Sequence, residues 1–184
     1  MTLSDVERRL LRGVGLESIE FGLVHQCSMP IPVLDYPAAL RAETATFVTL
    51  REGDELLGCI GTLRAHRPLV ADVAHNAYHA AFSDPRFAPL TAARLPCLDL
   101  HISVLSPLEH LEIRSEEDLL AQLRPGLDGL VLEEGDLSAT FLPAMWPRLV
   151  TARSFVRVLK EKANLPPDYW SATIKAYRYT ADEF

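Results

Sequence analysis

The chain has too few cysteines to be held together by disulfides: three in 184 residues, Cys27, Cys59 and Cys97, odd in number and far apart. No Cys-x-x-Cys pair exists among them, so they read as reduced thiols. Long hydrophobic runs are missing as well. None approaches the roughly 18 apolar residues of a membrane helix, and the start, MTLSDVERRLL, has neither the basic opening nor the apolar run of a secretory signal. A cytoplasmic protein with no membrane contact is the expectation. Positive charge is scarce: 18 Lys and Arg against 25 Asp and Glu leave a net charge of −7. That balance excludes partners held by phosphate neutralisation, so no nucleic-acid partner is expected. There is no Gly-x-Ser-x-Gly elbow, phosphate-binding loop or dinucleotide glycine pattern, and no cofactor is expected.

What is present is an ordinary globular composition, 48% hydrophobic and 23% charged, in a chain long enough to bury a core without a metal or disulfide staple. It fits one domain over 1–184, or two intimately packed halves of about 1–105 and 106–184. Ser4 and Glu7 form a capping box that starts a helix with Val6, Leu10 and Val14 as its apolar stripe; Gly13, Gly15 and Gly22 weaken its interior. Prolines at 30, 32 and 37 make residues 27–43 an irregular arm. TFVTL (46–50) and LLGCIGTL (56–63) flank a glycine turn and predict a hairpin. A helix over 68–82 follows, then the proline-locked SDPRFAPL. CLDLHISVL (97–105) alternates as a strand, with Cys97, Asp99, His101 and Ser103 on its polar face. Ser115 caps a helix over 115–124, a second hairpin spans 129–142, a helix covers 151–163, and a last strand lies in 173–180. Hairpins mixed with helices argue α+β with a mainly antiparallel sheet.

The hairpins resemble each other. TLREGDELLG and VLEEGDLSAT share Leu, Glu, Gly and Asp at 50, 52, 53, 54 and at 132, 134, 135, 136, and RPLV (67–70) and PRLV (147–150) each precede a helix. Either an internal duplication or common turn chemistry accounts for this.

The residues able to carry chemistry cluster at GCIGT. Glycines at 58 and 61 remove side-chain bulk around Cys59 in a strand. They leave three readings open: a sharply coiled strand with Cys59 packed as a small apolar residue, a cleft for a ligand or extended peptide formed by Gly58, Cys59, Ile60, Gly61 and Thr62, or a catalytic thiol. A nucleophilic Cys59 needs a base, for which His66 and His101 are the candidates. Asp84 and Arg86 either pair with each other, cap a helix or hold an anion at the rim of that cleft. Asp72, His75, Asn76 and His79 form one helical stripe, with the histidines at metal-pair spacing. Without a third ligand this reads as a solvated face, and no metal is expected. Trp146 and Trp170 read as packing anchors.

Several separated words, GCIGT, FSDPRFAPL, ISVLSPLE, GLVL with ATFLPAMW, and LKEKANLP with YW, occur in the order and spacing of one family. The chain resembles AMMECR-domain proteins, of the branch called AmmeMemoRadiSam system protein A. The resemblance implies an α+β fold of duplicated β-β-β-α-α repeats sharing one mainly antiparallel, barrel-like sheet. It also implies Memo-like and radical-SAM proteins as partners, and it brings no assigned reaction. The family word is usually Leu-Arg-Gly-Cys-Ile-Gly, whereas Leu57 stands here at the arginine position, with Arg51 and Arg64 the nearest substitutes. The combined expectation is a cytoplasmic accessory protein binding a partner or small molecule at the Gly58 to Thr62 strand. The alternative is a hydrolase or transferase using Cys59.

Overall fold

The computed structural model describes residues 3–184. Helix α1 (Asp5–His25) starts where the capping box predicts, with the Glu7 carboxylate accepting the Ser4 amide at 2.8 Å and the Ser4 hydroxyl accepting from the Glu7 amide. It runs unbroken through its glycines to Gln26, whose φ of 56° ends it. Two of those glycines lie where other elements press in. A Cβ on Gly15 would sit 2.9 Å from a Leu100 methyl, and one on Gly22 would meet the Tyr78 and Phe82 rings at 2.5 and 2.7 Å. The predicted stripe is borne out at Val14 and misphased at Val6 and Leu10. Leu11, Val14, Ser18 and Ile19 face the core beside these glycines, while Val6 and Leu10 are 58% and 40% exposed.

The arm beyond α1 contains a 3-10 turn and the short helix α2 (Ala38–Arg41), anchored by fully buried Leu40. Strands β1 (Thr46–Glu52) and β2 (Glu55–Gly61) form the predicted hairpin, turning on Gly53 at φ 57° and Asp54. Helix α3 (Leu69–Phe82) packs on both strands and on α1, and β3 (Asp99–Leu105) pairs with the other side of β1. The backbone of α3 comes so close to β2 that a side chain on Gly58 would overlap the Ala80 carbonyl. Register slips by one residue between Leu50 and Arg51, making a bulge at Leu57 that turns this residue into the core.

After Pro107 a second compact unit spans Leu108–Ala181. It contains β4 (Glu109–Leu111), α4 (Glu116–Gln122), β5 (Gly129–Glu134), β6 (Leu137–Phe141), α5 (Ala152–Lys162) and β7 (Lys175–Tyr179). Phe155 stacks on Trp146 at 4.1 Å in its core, and Trp146 donates to the Asp128 carbonyl at 2.7 Å. Lys160 is fully buried and pairs with Glu116 at 2.5 Å, joining α5 to α4. The chain then returns: Asp182–Phe184 belong to the first unit, where Ile102 and Phe184 exchange backbone bonds of 2.8 and 3.1 Å through β8 (Ala181–Glu183).

The expected single barrel-like sheet is not formed. The described residues form two open four-stranded sheets, ordered β2-β1-β3-β8 and β4-β7-β5-β6. Ser106 and Pro107 end the strand run between β3 and β4, where proline cannot donate to a ladder. The two hairpins do share a Gly-Asp turn, with φ 57° at both Gly53 and Gly135. The RPLV and PRLV words differ in role: Leu69 and Val70 open α3 in the core, whereas Leu149 and Val150 precede α5, Val150 being 77% exposed. Among the described residues no helix is long and apolar enough to cross a membrane.

Gly58→Ala is expected to lower unfolding free energy by about 2–3 kcal/mol, because helix backbone cannot retreat from the added methyl. Gly13→Ala, which meets nothing within 4 Å, is expected to raise it by about 1 kcal/mol. Urea denaturation of both variants checks this; two effects of the same sign would contradict the packing described.

Candidate functional site

The residues of the GCIGT strand are each engaged from within the first unit. Gly58 lies against Ala80 of α3, and Ile60 packs against the core on the same side. On the opposite face the Phe47 ring occupies the space that a side chain at Gly61 would take. The space freed by the two glycines is thus filled by a carbonyl at Gly58 and a ring at Gly61. Thr62 leaves the strand and donates its hydroxyl to Asp72 at 3.0 Å.

Asp72 organises the end of the hairpin. Its Oδ2 accepts from the Thr46 backbone N–H (2.9 Å), the Thr46 hydroxyl (2.7 Å) and Asn76 Nδ2 (3.0 Å), while Oδ1 accepts from the Thr62 hydroxyl and from Arg67 Nε at 3.1 Å. Asp72 and Asn76 are 1% exposed, so half of the stripe read as solvated is in fact buried. Position i and i+4 on α3 point both polar groups at the open ends of β1 and β2, where unpaired backbone groups need partners. His75 and His79 occupy the more open part of that stripe, their ring centroids 4.2 Å apart. Burial, helped by Arg67 and His79, pulls His75 down to about 4 and outweighs the opposing pull of Asp72; burial and Arg67 also lower His79. Among the described residues no group of three or more His, Cys, Asp or Glu is placed to hold a metal.

At the other end, SDPRF wraps the free edge of β2. The alternation that bonds Thr62 to Thr46 turns the Cys59 N–H and C=O away from β1. Asp84 Oδ2 accepts the Cys59 N–H at 2.9 Å, and Arg86 Nη2 donates to the Cys59 carbonyl at 2.9 Å. Arg86 also donates through Nε to Asp84 Oδ1 at 2.9 Å and through Nη2 to Oδ2 at 2.7 Å. Pro85 fixes the turn, and the Arg86 amide closes it onto Oδ1 at 3.2 Å. A carboxylate and a guanidinium 25 and 27 residues away in sequence thereby replace a neighbouring strand at one residue. The Asp84 side chain is only 1% exposed, and its Arg86 hydrogen bonds, outweighing the burial that opposes them, pull its carboxyl down to about 2.

Cys59 is half-buried, and its thiol accepts from the Thr49 hydroxyl at 3.3 Å. Strand register places Cys59, Thr49 and His101 in one row on the face away from α3. His101 is therefore two strands from Cys59, on the order of 10 Å, and its Nε2 lies 2.9 Å from Asp99. His66 is exposed in the loop before α3, its Nδ1 2.9 Å from the Arg64 carbonyl. Among the described residues no hydrogen bond or ion pair joins either histidine to the thiol, so neither is placed as its base. Arg51 donates to the Asp54 carbonyl at 3.4 Å, and Arg94 pairs with Glu55 at the start of the strand at 3.3 Å; Arg86 is the guanidinium bonded to Cys59. Beside it, at 5.2 Å from the guanidinium, the Phe87 ring helps line a cavity of about 220 Å³ with Leu56, Leu57, Pro89 and Leu90.

These features define an α+β protein of two open antiparallel sheets, marked by a Gly-Cys-Ile-Gly-Thr edge strand clamped by an Asp-Pro-Arg loop. The chain belongs to the AMMECR1 family, whose sequence model matches residues 16–184. It is 34% identical over 188 residues to a protein of Methanothermobacter thermautotrophicus, covering 99% of this chain and 95% of that one. Protein MJ0810 of Methanocaldococcus jannaschii is 32% identical over 162 residues, covering 84% and 79%. The crystal structure of the uncharacterized protein PH0010 from Pyrococcus horikoshii superposes with a TM-score of 0.87 at 31% identity, covering 95% of this chain and 88% of that one.

The two depressed groups destabilise the fold in separate acid windows. His75 stays neutral in the fold, so stability declines as pH falls from 6.5 toward about 4. The Asp84 contribution is complete above its ordinary 3.8 and is lost as pH falls through about 2. His75→Gln is expected to remove most of the first decline. Asp84→Asn is expected to remove the second and to cost about 2 kcal/mol at neutral pH. Circular dichroism during acid unfolding checks both, and an unchanged profile in either variant rejects that assignment.

Proposed function

We propose that the protein is a binding component of a larger system, and that it recognises an extended segment of a partner protein along the outer edge of β2 and the Asp84–Phe87 loop. The observation that carries this reading is the state of Arg86. Its Nε and Nη2 are taken up by Asp84 and the Cys59 carbonyl, yet its side chain is 55% exposed, which makes Nη1 the nitrogen to meet a partner. A guanidinium already immobilised loses little freedom when it binds, and the edge of β2 beyond the clamped Cys59 is a natural place for an extended peptide to lie. The segment presents a carbonyl or carboxylate oxygen to Nη1 and an apolar side chain to the cavity beside Phe87. The Memo-like and radical-SAM proteins implied by the family's company are the partners to test.

The rival reading is a hydrolase or transferase with Cys59 as nucleophile. The Cys59, Thr49, His101 row favours it, and the Thr49 hydroxyl interposed between thiol and imidazole weighs against it. Under the same proposal the two units descend from one duplicated hairpin unit, a reading supported by the matching Gly53 and Gly135 turns and by the matched strand orders. Aligning residues 46–63 with 128–142 across relatives tests it, and similarity no better than chance would reject it.

Isothermal titration of the chain with a Memo-like and with a radical-SAM protein from one genome tests the binding reading. Ala88→Trp, on the exposed cavity wall, is expected to weaken affinity at least about tenfold, while Cys59→Ser keeps it within about twofold. Full affinity in the tryptophan variant removes the proposed surface; absence of binding to both proteins removes these partners. Iodoacetamide is expected to label Cys59 more slowly than exposed Cys27 and Cys97 at neutral pH, and faster labelling of Cys59 would favour the enzyme instead.

A further inference from the structure

Gly13 is a glycine for which the chain itself has no use. Gly15 and Gly22 on the same helix lie where a side chain would collide with Leu100 or with the Tyr78 and Phe82 rings, but nothing lies within 4 Å of a Cβ at Gly13, and its φ is not positive. A glycine inside a helix weakens it, so its presence at an unconstrained position points to something outside the chain that comes close. The surface around it fits that reading. Leu10 and Val6 are exposed about one and two turns before it, and together with Arg9, Glu17 and Tyr36 they line a shallow groove of about 320 Å³.

Arg9 and Glu17 lie four residues to either side of Gly13, both exposed. We propose that the occupant of this face is a second copy of the chain, whose α1 crosses antiparallel at Gly13. The two-fold relation then sets Arg9 of each copy against Glu17 of the partner subunit, making two ion pairs from one self-complementary patch. A parallel crossing sets like charge beside like charge. The absent side chain at Gly13 lets the helix backbones approach, and Leu10 of each copy covers the contact on its own side of the crossing. Association through a single helix face is weak, with dissociation expected in the tens to hundreds of micromolar.

Sedimentation equilibrium of the full chain at roughly 10–500 µM and low salt tests the proposal. The average mass is expected to rise from 20.5 kDa toward twice that value as concentration increases. Arg9→Glu is expected to weaken association at least about tenfold, and combining it with Glu17→Arg to restore it within about threefold. Gly13→Leu is expected to abolish it while leaving the circular dichroism spectrum unchanged. A mass of 20.5 kDa at every concentration overturns the proposal, as does a dimer indifferent to Gly13→Leu or a charge swap that fails to rescue.

Discussion

The close seating of α3 on the edge hairpin is the constraint from which the rest of the first unit follows. At one point the two backbones nearly touch, Gly58 beneath the Ala80 carbonyl, and no residue with a side chain fits there. Two buried aspartates hold the strand on either side of that contact. Asp72, near the start of α3, takes up the polar groups of Thr46 and Thr62; Asp84, just past its end, takes up the backbone of Cys59. Neither carboxylate is buried without donors, which is what makes such burial tolerable. Glycine, threonine and aspartate in these words are therefore parts of one joint between strand and helix.

That joint changes how the thiol at its centre is understood. Cys59 is held by its main chain rather than presented by it, with both backbone groups bonded to the following loop. Its sulfur accepts from the Thr49 hydroxyl on the neighbouring strand. Stiffness itself is useful for recognition. Arg86 is locked by the same bonds that complete the strand, so the group turned toward solvent is pre-positioned by the group turned inward. Leu57 fits this arrangement too, because the bulge directs that position into the apolar core.

The second unit uses the same hairpin turn with a different helix connection. Gly135 repeats the φ of Gly53, but α5 begins at Ala152, after a 3-10 turn (Pro143–Met145) that ends at Trp146, and is tied to α4 by the buried Lys160–Glu116 pair. A buried ammonium needs a carboxylate and a favourable neighbour, and Lys160 has both Glu116 and, at 5.6 Å, the Trp170 ring. Similar hairpins thus support unlike helix attachments, and local turn chemistry does not carry information about what packs on the strands it joins.

The elements legible from the sequence were those whose signals are local. Capping at Ser4 and Ser115, the Gly-Asp turns, the alternation of β3 and the prolines bounding α3 each depend on residues a few positions apart. So the α+β class, both hairpins and the main helices were determined by the sequence alone, and the separated family words located the strand and loop that form the joint. The face of α1 that enters the core, the burial of Asp72 and Asn76, the bond from Asp84 to Cys59, the short strands β4 and β8 and the division into two open sheets were decided only by tertiary structure. The reason is that these features join positions distant along the chain, as Ile102 and Phe184 do. Which polar residue is buried, and which glycine is crowded, depends on the partner that packing brings to it.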